Sequence, residues 1–151
     1  VSDIKVVATN RRARHDYEII DDFEAGIVLT GSEVKSLRAG KANLKDSFAH
    51  VRDGEVWLVG AYIAPYSFSR EGGHDPERTR KLLLHRREID RIAGTLAEKG
   101  LTLVPMRLYF KDGKAKVQIG LARGKRTVDK RADIKKREHE REMERARRRF
   151  R

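Results

Sequence analysis

Cysteine is absent from the 151 residues, which excludes disulfides, thiolate catalysis and Cys-ligated zinc. Long apolar runs are missing too. The longest, Val56 to Ala64, is about half of the roughly 20 residues that a membrane helix needs. The N-terminal stretch VSDIKVVATNRRARH lacks the apolar centre of a signal peptide. Acid is in deficit: 23 Asp and Glu stand against 35 Lys and Arg, for a formal net charge of +12. A surplus of that size favours association with nucleic acid or another anionic surface. These shortages together predict a soluble, cytoplasmic, basic protein with no membrane partner.

Catalytic patterns are equally scarce. The five histidines, His15, His50, His74, His85 and His139, include no pair at helical ligand spacing. No serine sits in a nucleophile elbow, and GxxxxGK[ST] does not occur. Asp22, Glu24 and Glu33 could be imagined as a two-metal nuclease site. Asp22 and Glu24 read more simply as a turn edge and the solvent face of a strand. No catalytic residue, metal ligand or cofactor is therefore assigned, and the chain is not read as an enzyme.

What is present begins with the end of the sequence. RGKRTVDKRADIKKREHEREMERARRRFR, residues 123–151, is dense in charge, and from Arg131 onward its only sizeable apolar side chains are Ile134, Met143 and Phe150. Such a segment cannot offset a backbone ordering cost of roughly 1–2 kcal/mol per residue by burial. It is expected to be disordered alone, or helical when a polyanion supplies the other face. As a helix it lines up Arg137, Arg141, Arg145 and Arg149 at four-residue steps. Glu138, Glu142 and Glu144 lie three residues before Arg141, Arg145 and Arg147, adding a few tenths of a kcal/mol per pair.

The remainder, residues 1–122, reads as a single domain. Residues before about His15 form a basic, flexible lead-in. HDYEII and FEAGIVL read as two short strands parted by Asp21-Asp22. GSEVKSLRAGK follows as a helix with Val34 and Leu37 inward and Gly40 at its end. SFAHVR, Asp53-Gly54 and EVWLVGAYIA make a hairpin whose return strand is apolar on both faces and hence central. Pro65 to Arg80 is a long exposed loop. Ile89, Ile92, Ala93 and Leu96 mark one buried stripe of a helix from about Arg86 to Lys99. A second hairpin turns at Asp112-Gly113, with Val117, Ile119 and Leu121 alternating. Phe48, Trp57 and Phe110 are assigned to the core. The expected fold is mainly β: a small, closed antiparallel barrel of about six strands with two or three packed helices, and a basic C-terminal tail.

Four basic clusters stand out: Arg11 to His15; Lys35, Arg38 and Lys41; Arg78 to Lys81 with His85 to Arg87; and the tail. Brought together, the first three would track a phosphate backbone, and His15, Tyr17, Tyr62, Tyr66, Phe68 and His85 could stack on unpaired bases.

The segments NRRARHDYEI, FEAGIVLTGSEVKSLRAGKANLKDSF, DGEVWL, RTRKLLLHRREI and LARGKRTVDKRADIK, in this order, resemble the SmpB (small protein B) family over nearly the whole chain. The resemblance implies an oligonucleotide-binding-like barrel. It implies an adaptor that binds the tRNA-like domain of transfer-messenger RNA (tmRNA) and carries it, as a monomer, to the A site of stalled 70S ribosomes. It also implies that Asn10, Arg12, Arg14, His15, Glu24, Ser36, Arg38, Lys41, Asn43, Lys81, Leu83 and His85 face the tmRNA. Gly124, Lys125, Arg126, Asp129, Lys130 and Arg131 would reach small-subunit rRNA at the decoding centre. Lys135, Arg137, Arg141 and Arg145 would line the empty mRNA channel. One departure is Val128, where the family often carries an aromatic residue or histidine. The competing expectation is a generic ribosomal-RNA-binding structural protein.

Overall fold

The computed structural model describes residues 3–66, 74–97, 100–125 and 137–145. In chain order the elements are β1 (Ile4–Thr9), α1 (Ala13–Asp16), β2 (Tyr17–Ile27), α2 (Gly31–Arg38), β3 (Ala42–Asn43), β4 (Phe48–Arg52), β5 (Glu55–Val59), β6 (Tyr62–Ile63), β7 (Arg80–Leu83), α3 (Arg86–Leu96), β8 (Leu101–Lys111) and β9 (Lys114–Gly124). Residues 137–145 are also helical and exposed throughout.

Two Asp-Gly pairs set the hairpins. Asp53 and Gly54 have φ of 53° and 72°, and Asp112 and Gly113 have φ of 50° and 81°. Positive φ at both central residues gives the turn whose twist matches that of the flanking strands. Pairing then runs β8–β4–β5–β7–β2–β9 and returns from β9 to β8, so six antiparallel strands close on themselves. β1 lies outside this ring, against the Arg107–Lys111 half of β8, and β3 pairs with β6 separately. Closure leaves no open edge within the ring, and β1 is the edge strand that remains to that sheet.

Inside the ring, alternate residues meet: Phe23 and Ala25 of β2, Val56 and Leu58 of β5, Leu82 of β7, Leu108 and Phe110 of β8, Val117 and Ile119 of β9. Leu37 of α2 and Ile89 and Ile92 of α3 join this core. A smaller cluster of Ala13, Val104, Met106 and Ala122 fastens α1 to the barrel wall.

Several expectations change. The lead-in contains β1 and α1, because β8 is long enough to pair with a further strand. The two short runs around Asp21-Asp22 are one strand, β2, which absorbs the aspartates at a register shift against β9 between Ile19 and Asp21. Such a bulge leaves an extra residue unpaired without ending the strand. β9 continues to Gly124, two residues past the expected boundary at Ala122. On α3, Ile89 and Ile92 are buried, but Ala93 is exposed and Leu96 half-buried. On α2, Glu33, Ser36 and Leu37 are buried and Val34 only partly. Phe110 is core as expected, whereas Trp57 is partly exposed and Phe48 is 49% exposed.

Candidate nucleic-acid interface

The first group of candidate residues sits where β1 gives way to α1. Buried Ala13 pins this short helix, leaving Arg11, Arg12, Arg14 and His15 exposed. Asn10 is fixed twice to β8: its backbone N–H donates to the Met106 carbonyl at 2.8 Å and its Nδ2 to the Pro105 carbonyl at 2.9 Å. His15 Nδ1 lies 2.8 Å from Asp16 Oδ1. Asn10 and Arg12 line one cleft of about 510 Å³ with Asn43, about thirty residues further along the chain.

A second group surrounds α2 and β7. Thr30 and Glu33 form a reciprocal cap at the start of α2, with the Thr30 N–H donating to Glu33 Oε1 at 2.8 Å. Glu33 is wholly buried and also accepts from Arg78 Nη2 at 2.6 Å and from Arg80 Nε. Arg80, itself fully buried, donates further to the Ala61 carbonyl at 2.7 Å and the Pro76 carbonyl at 3.1 Å. Burial alone would raise the Glu33 carboxyl, but the bonds from Arg78, Thr30 and Arg80 outweigh it and hold the pKa at about 2. Arg80 is thereby withdrawn from the basic cluster expected of it, while Arg78, paired to the same carboxylate, stays partly exposed. Ser36 corrects another expectation: it is buried, and its Oγ donates to the Ala64 carbonyl at 2.6 Å.

What remains on this surface is well placed. Lys35 lies 5.3 Å above the Tyr66 ring and Arg38 5.1 Å above the Phe110 ring. Lys41 is exposed. Lys81 is 3.9 Å from Glu55, and Leu83 is 51% exposed on the outside of β7. Leu83 lies across from Gly26, where an added Cβ would stand 3.3 Å from Leu83 Cβ. His85 is exposed and caps the start of α3, its N–H donating to Glu88 Oε1 at 3.1 Å.

Glu24 belongs to a network that the sequence reading did not find. Arg107, Tyr109 and Lys111 alternate along β8; Gln118 pairs with Arg107 on one side and with Glu24 on the other. Tyr109 Oη donates to Glu24 Oε2 at 2.6 Å, and Lys111 Nζ is 3.4 Å from the same carboxylate. Arg107 Nε donates to Gln118 Oε1 at 2.9 Å, and Gln118 Nε2 to Asp22 Oδ2 at 2.7 Å. The Tyr109 hydrogen bond lowers the Glu24 pKa, aided by Lys111 against the effect of burial. Burial and the Glu24 bond push the Tyr109 hydroxyl up. Glu24 thus orients a tyrosine and a lysine. The period-2 pattern of MRLYFK was the available signal, but it needed the β8–β9–β2 register to be read.

This geometry disfavours the nuclease alternative. Glu33 is held by two arginines, Glu24 by Tyr109 and Lys111, and Asp22 by Gln118. Among the described residues no group of three His, Asp or Glu side chains could hold a metal ion.

Of the tail candidates, Gly124 ends β9 against Tyr17, and the Lys125 N–H donates to the Asp16 carbonyl at 2.9 Å. Arg137, Arg141 and Arg145 recur at four-residue steps on the helical residues 137–145, so they share one helix face. Arg126, Asp129, Lys130, Arg131 and Lys135, with Val128, lie outside the described residues. Among the described residues no helix is long and apolar enough to cross a membrane.

Comparison with known proteins agrees with this picture. A family model described as "SmpB protein" matches residues 7–149. The SsrA-binding protein of Sulfurihydrogenibium sp. (strain YO3AOP1) is 59% identical over 142 residues, covering 94% of this chain and 93% of that one. That of Desulforudis audaxviator (strain MP104C) is 58% identical over the same length and shares. A solved chain from work described as "tmRNA-SmpB: a journey to the center of the bacterial ribosome" is 57% identical, with a TM-score of 0.66 over 79% of this chain and 84% of that one. The barrel, the cationic surface and kinship over nearly the full length lead to one conclusion: the chain belongs to the SmpB family.

Proposed function

We propose that this protein is a non-enzymatic, monomeric RNA-binding adaptor of the cytoplasm, needing no cofactor. It binds the tRNA-like domain of tmRNA and brings it to the A site of stalled ribosomes for rescue and peptide tagging. The observation that carries this reading is the kinship with SsrA-binding proteins over 94% of the chain. The exposed side chains support it. Arg12, Arg14, Arg38, Lys41 and Lys81 supply cations for phosphates, while Leu83 offers an apolar contact beside them. Asn10, Asn43, Glu24 and His85 add hydrogen-bonding groups that can discriminate among RNA surfaces. Ser36 acts from beneath, by fixing α2 to the Ala64 carbonyl.

The tail has the second role. From Gly124 and Lys125 onward it reaches the decoding centre, and the cationic face of Arg137, Arg141 and Arg145 lies along the empty mRNA channel. The decisive experiment is competition at physiological salt between labelled tRNA-like domain and excess alanine tRNA. Retention of the tRNA-like domain is expected. Displacement in proportion to competitor would mean generic counterion-release binding and would overturn the adaptor reading.

A further inference from the structure

The cleft between α1 and the loop that leads into β4 is more than a groove in a cationic surface. We infer that it receives one unstacked RNA base, with Phe48 as the stacking wall and Asn10 and Asn43 reading the base edge. The inference rests on the RNA-binding reading above.

Its volume, about 510 Å³, falls within the roughly 300–1,000 Å³ typical of built ligand sites. The loop forming one wall is held in shape. The Lys45 N–H donates to Asn43 Oδ1 at 2.7 Å, and Ser47 Oγ donates to the Leu44 carbonyl at 2.6 Å. Asp46 takes a left-handed φ of 61°, and Gly60 passes so close that an added Cβ would stand 3.3 Å from the Asp46 carbonyl oxygen. At the end of this loop Phe48, 49% exposed, stands on the cleft lining although a core position was expected of it. Its ring centroid is 6.1 Å from that of His50.

The polar groups are complementary to a base. Asn10 has committed its Nδ2 to the Pro105 carbonyl, leaving Oδ1 as an acceptor. Asn43 has committed Oδ1 to Lys45, leaving Nδ2 as a donor. The Watson–Crick edge of every nucleobase presents both donors and acceptors. The cleft lining is of mixed charge, with Asp16 and Asp46 set among Arg11, Arg12 and Lys45, so the cations can hold the phosphate that accompanies a base while the acids oppose a second anion.

The base could come from tmRNA or from small-subunit rRNA. The Asp16 carbonyl that accepts from Lys125 places the cleft at the root of the tail, where both RNAs would pass.

Titration of the isotope-labelled full chain with nucleoside 5′-monophosphates and with inorganic phosphate tests the ligand class without either RNA. Amide shifts at Asn10, Asn43, Phe48 and Thr102 with at least one monophosphate, and none with phosphate alone, are expected. Shifts with phosphate alone, or with no monophosphate, would overturn the inference. Phe48→Ala is then measured on the tRNA-like domain and on small subunits. A loss of about ten-fold at an unchanged salt slope assigns the base to whichever RNA shows it. Arg12→Ala should instead flatten that slope by about 1. Wild-type affinity of Phe48→Ala for both RNAs would sink the proposal. Loss of preference over alanine tRNA in the wild type would overturn only the adaptor reading, and the monophosphate titration stays interpretable.

Discussion

Glu33 shows how one buried carboxylate organises two elements that carry side chains proposed to face RNA. It caps α2, which bears Lys35 and Arg38, and it anchors Arg80, which opens the strand bearing Lys81 and Leu83. Removing one partner of such a pair leaves the other charged and buried, at a cost of about 3–5 kcal/mol. Glu33→Gln should therefore lower the chemical-denaturation midpoint by an amount of that order; a midpoint within error of wild type would mean the pair contributes little. The same carboxylate sets an acid limit. Its folded pKa of about 2 lies below the ordinary 4.5, so its stabilisation, roughly 3 kcal/mol, is complete above pH 4.5 and fades as pH falls toward 2. Unfolding free energies measured between pH 6 and pH 2 should follow that fall in the wild type and lose this component in Glu33→Gln. On the outer surface, Lys81→Ala should weaken binding of the tRNA-like domain and reduce the salt slope by about 1, as measured from affinities over a salt series.

At the scale of elements, legibility followed locality. Asp53-Gly54 and Asp112-Gly113 announced both long hairpins, because a tight turn with positive φ at both central residues needs nothing beyond its own residues. The alternation of Val117, Ile119 and Leu121 marked the inward face of β9 for the same reason. β1 was not legible, since IKVVAT became a strand only through the far end of β8. Nor was the burial of Arg80, because an arginine in a basic run looks solvated until its carboxylate partner, 47 residues away, is known. Tyr109 and Gln118 were missed for want of strand register. Asn10, Arg12 and Asn43 were named one by one, but their meeting in one cleft depends on how β1, α1, β3 and the loop of residues 44–47 pack. The cap of α2 is local and separable. Thr30→Ala should cost about 0.5–2 kcal/mol, visible as a lowered melting temperature with retained far-ultraviolet dichroism.

For the whole molecule, the bonds that tie the chain to the barrel run past Ala122. Arg123 and Gly124 still pair with Glu18 and Tyr17 across the barrel wall, and Lys125 bonds the Asp16 carbonyl. A chain cut after Lys125 should melt like the full-length protein and keep its affinity for the tRNA-like domain while losing peptide tagging. A cut after Ala122 should melt lower, because β2 and α1 lose those bonds; equal melting temperatures would place the end of the body at Ala122. The pairing of β2 with β9 has a temporal consequence as well. β2 leans on β7 at only Gly26 and Ile27, so most of an early strand waits for the last strand of the barrel before it has a neighbour. Contacts so distant in sequence make closure slow, in the millisecond-to-second range of non-local β folds, and the sole tryptophan, Trp57, is a built-in reporter for stopped-flow refolding. During synthesis the ring stays open until β9 has left the exit tunnel, so a ribosome that halts before residue 114 releases a chain with an unsealed seam.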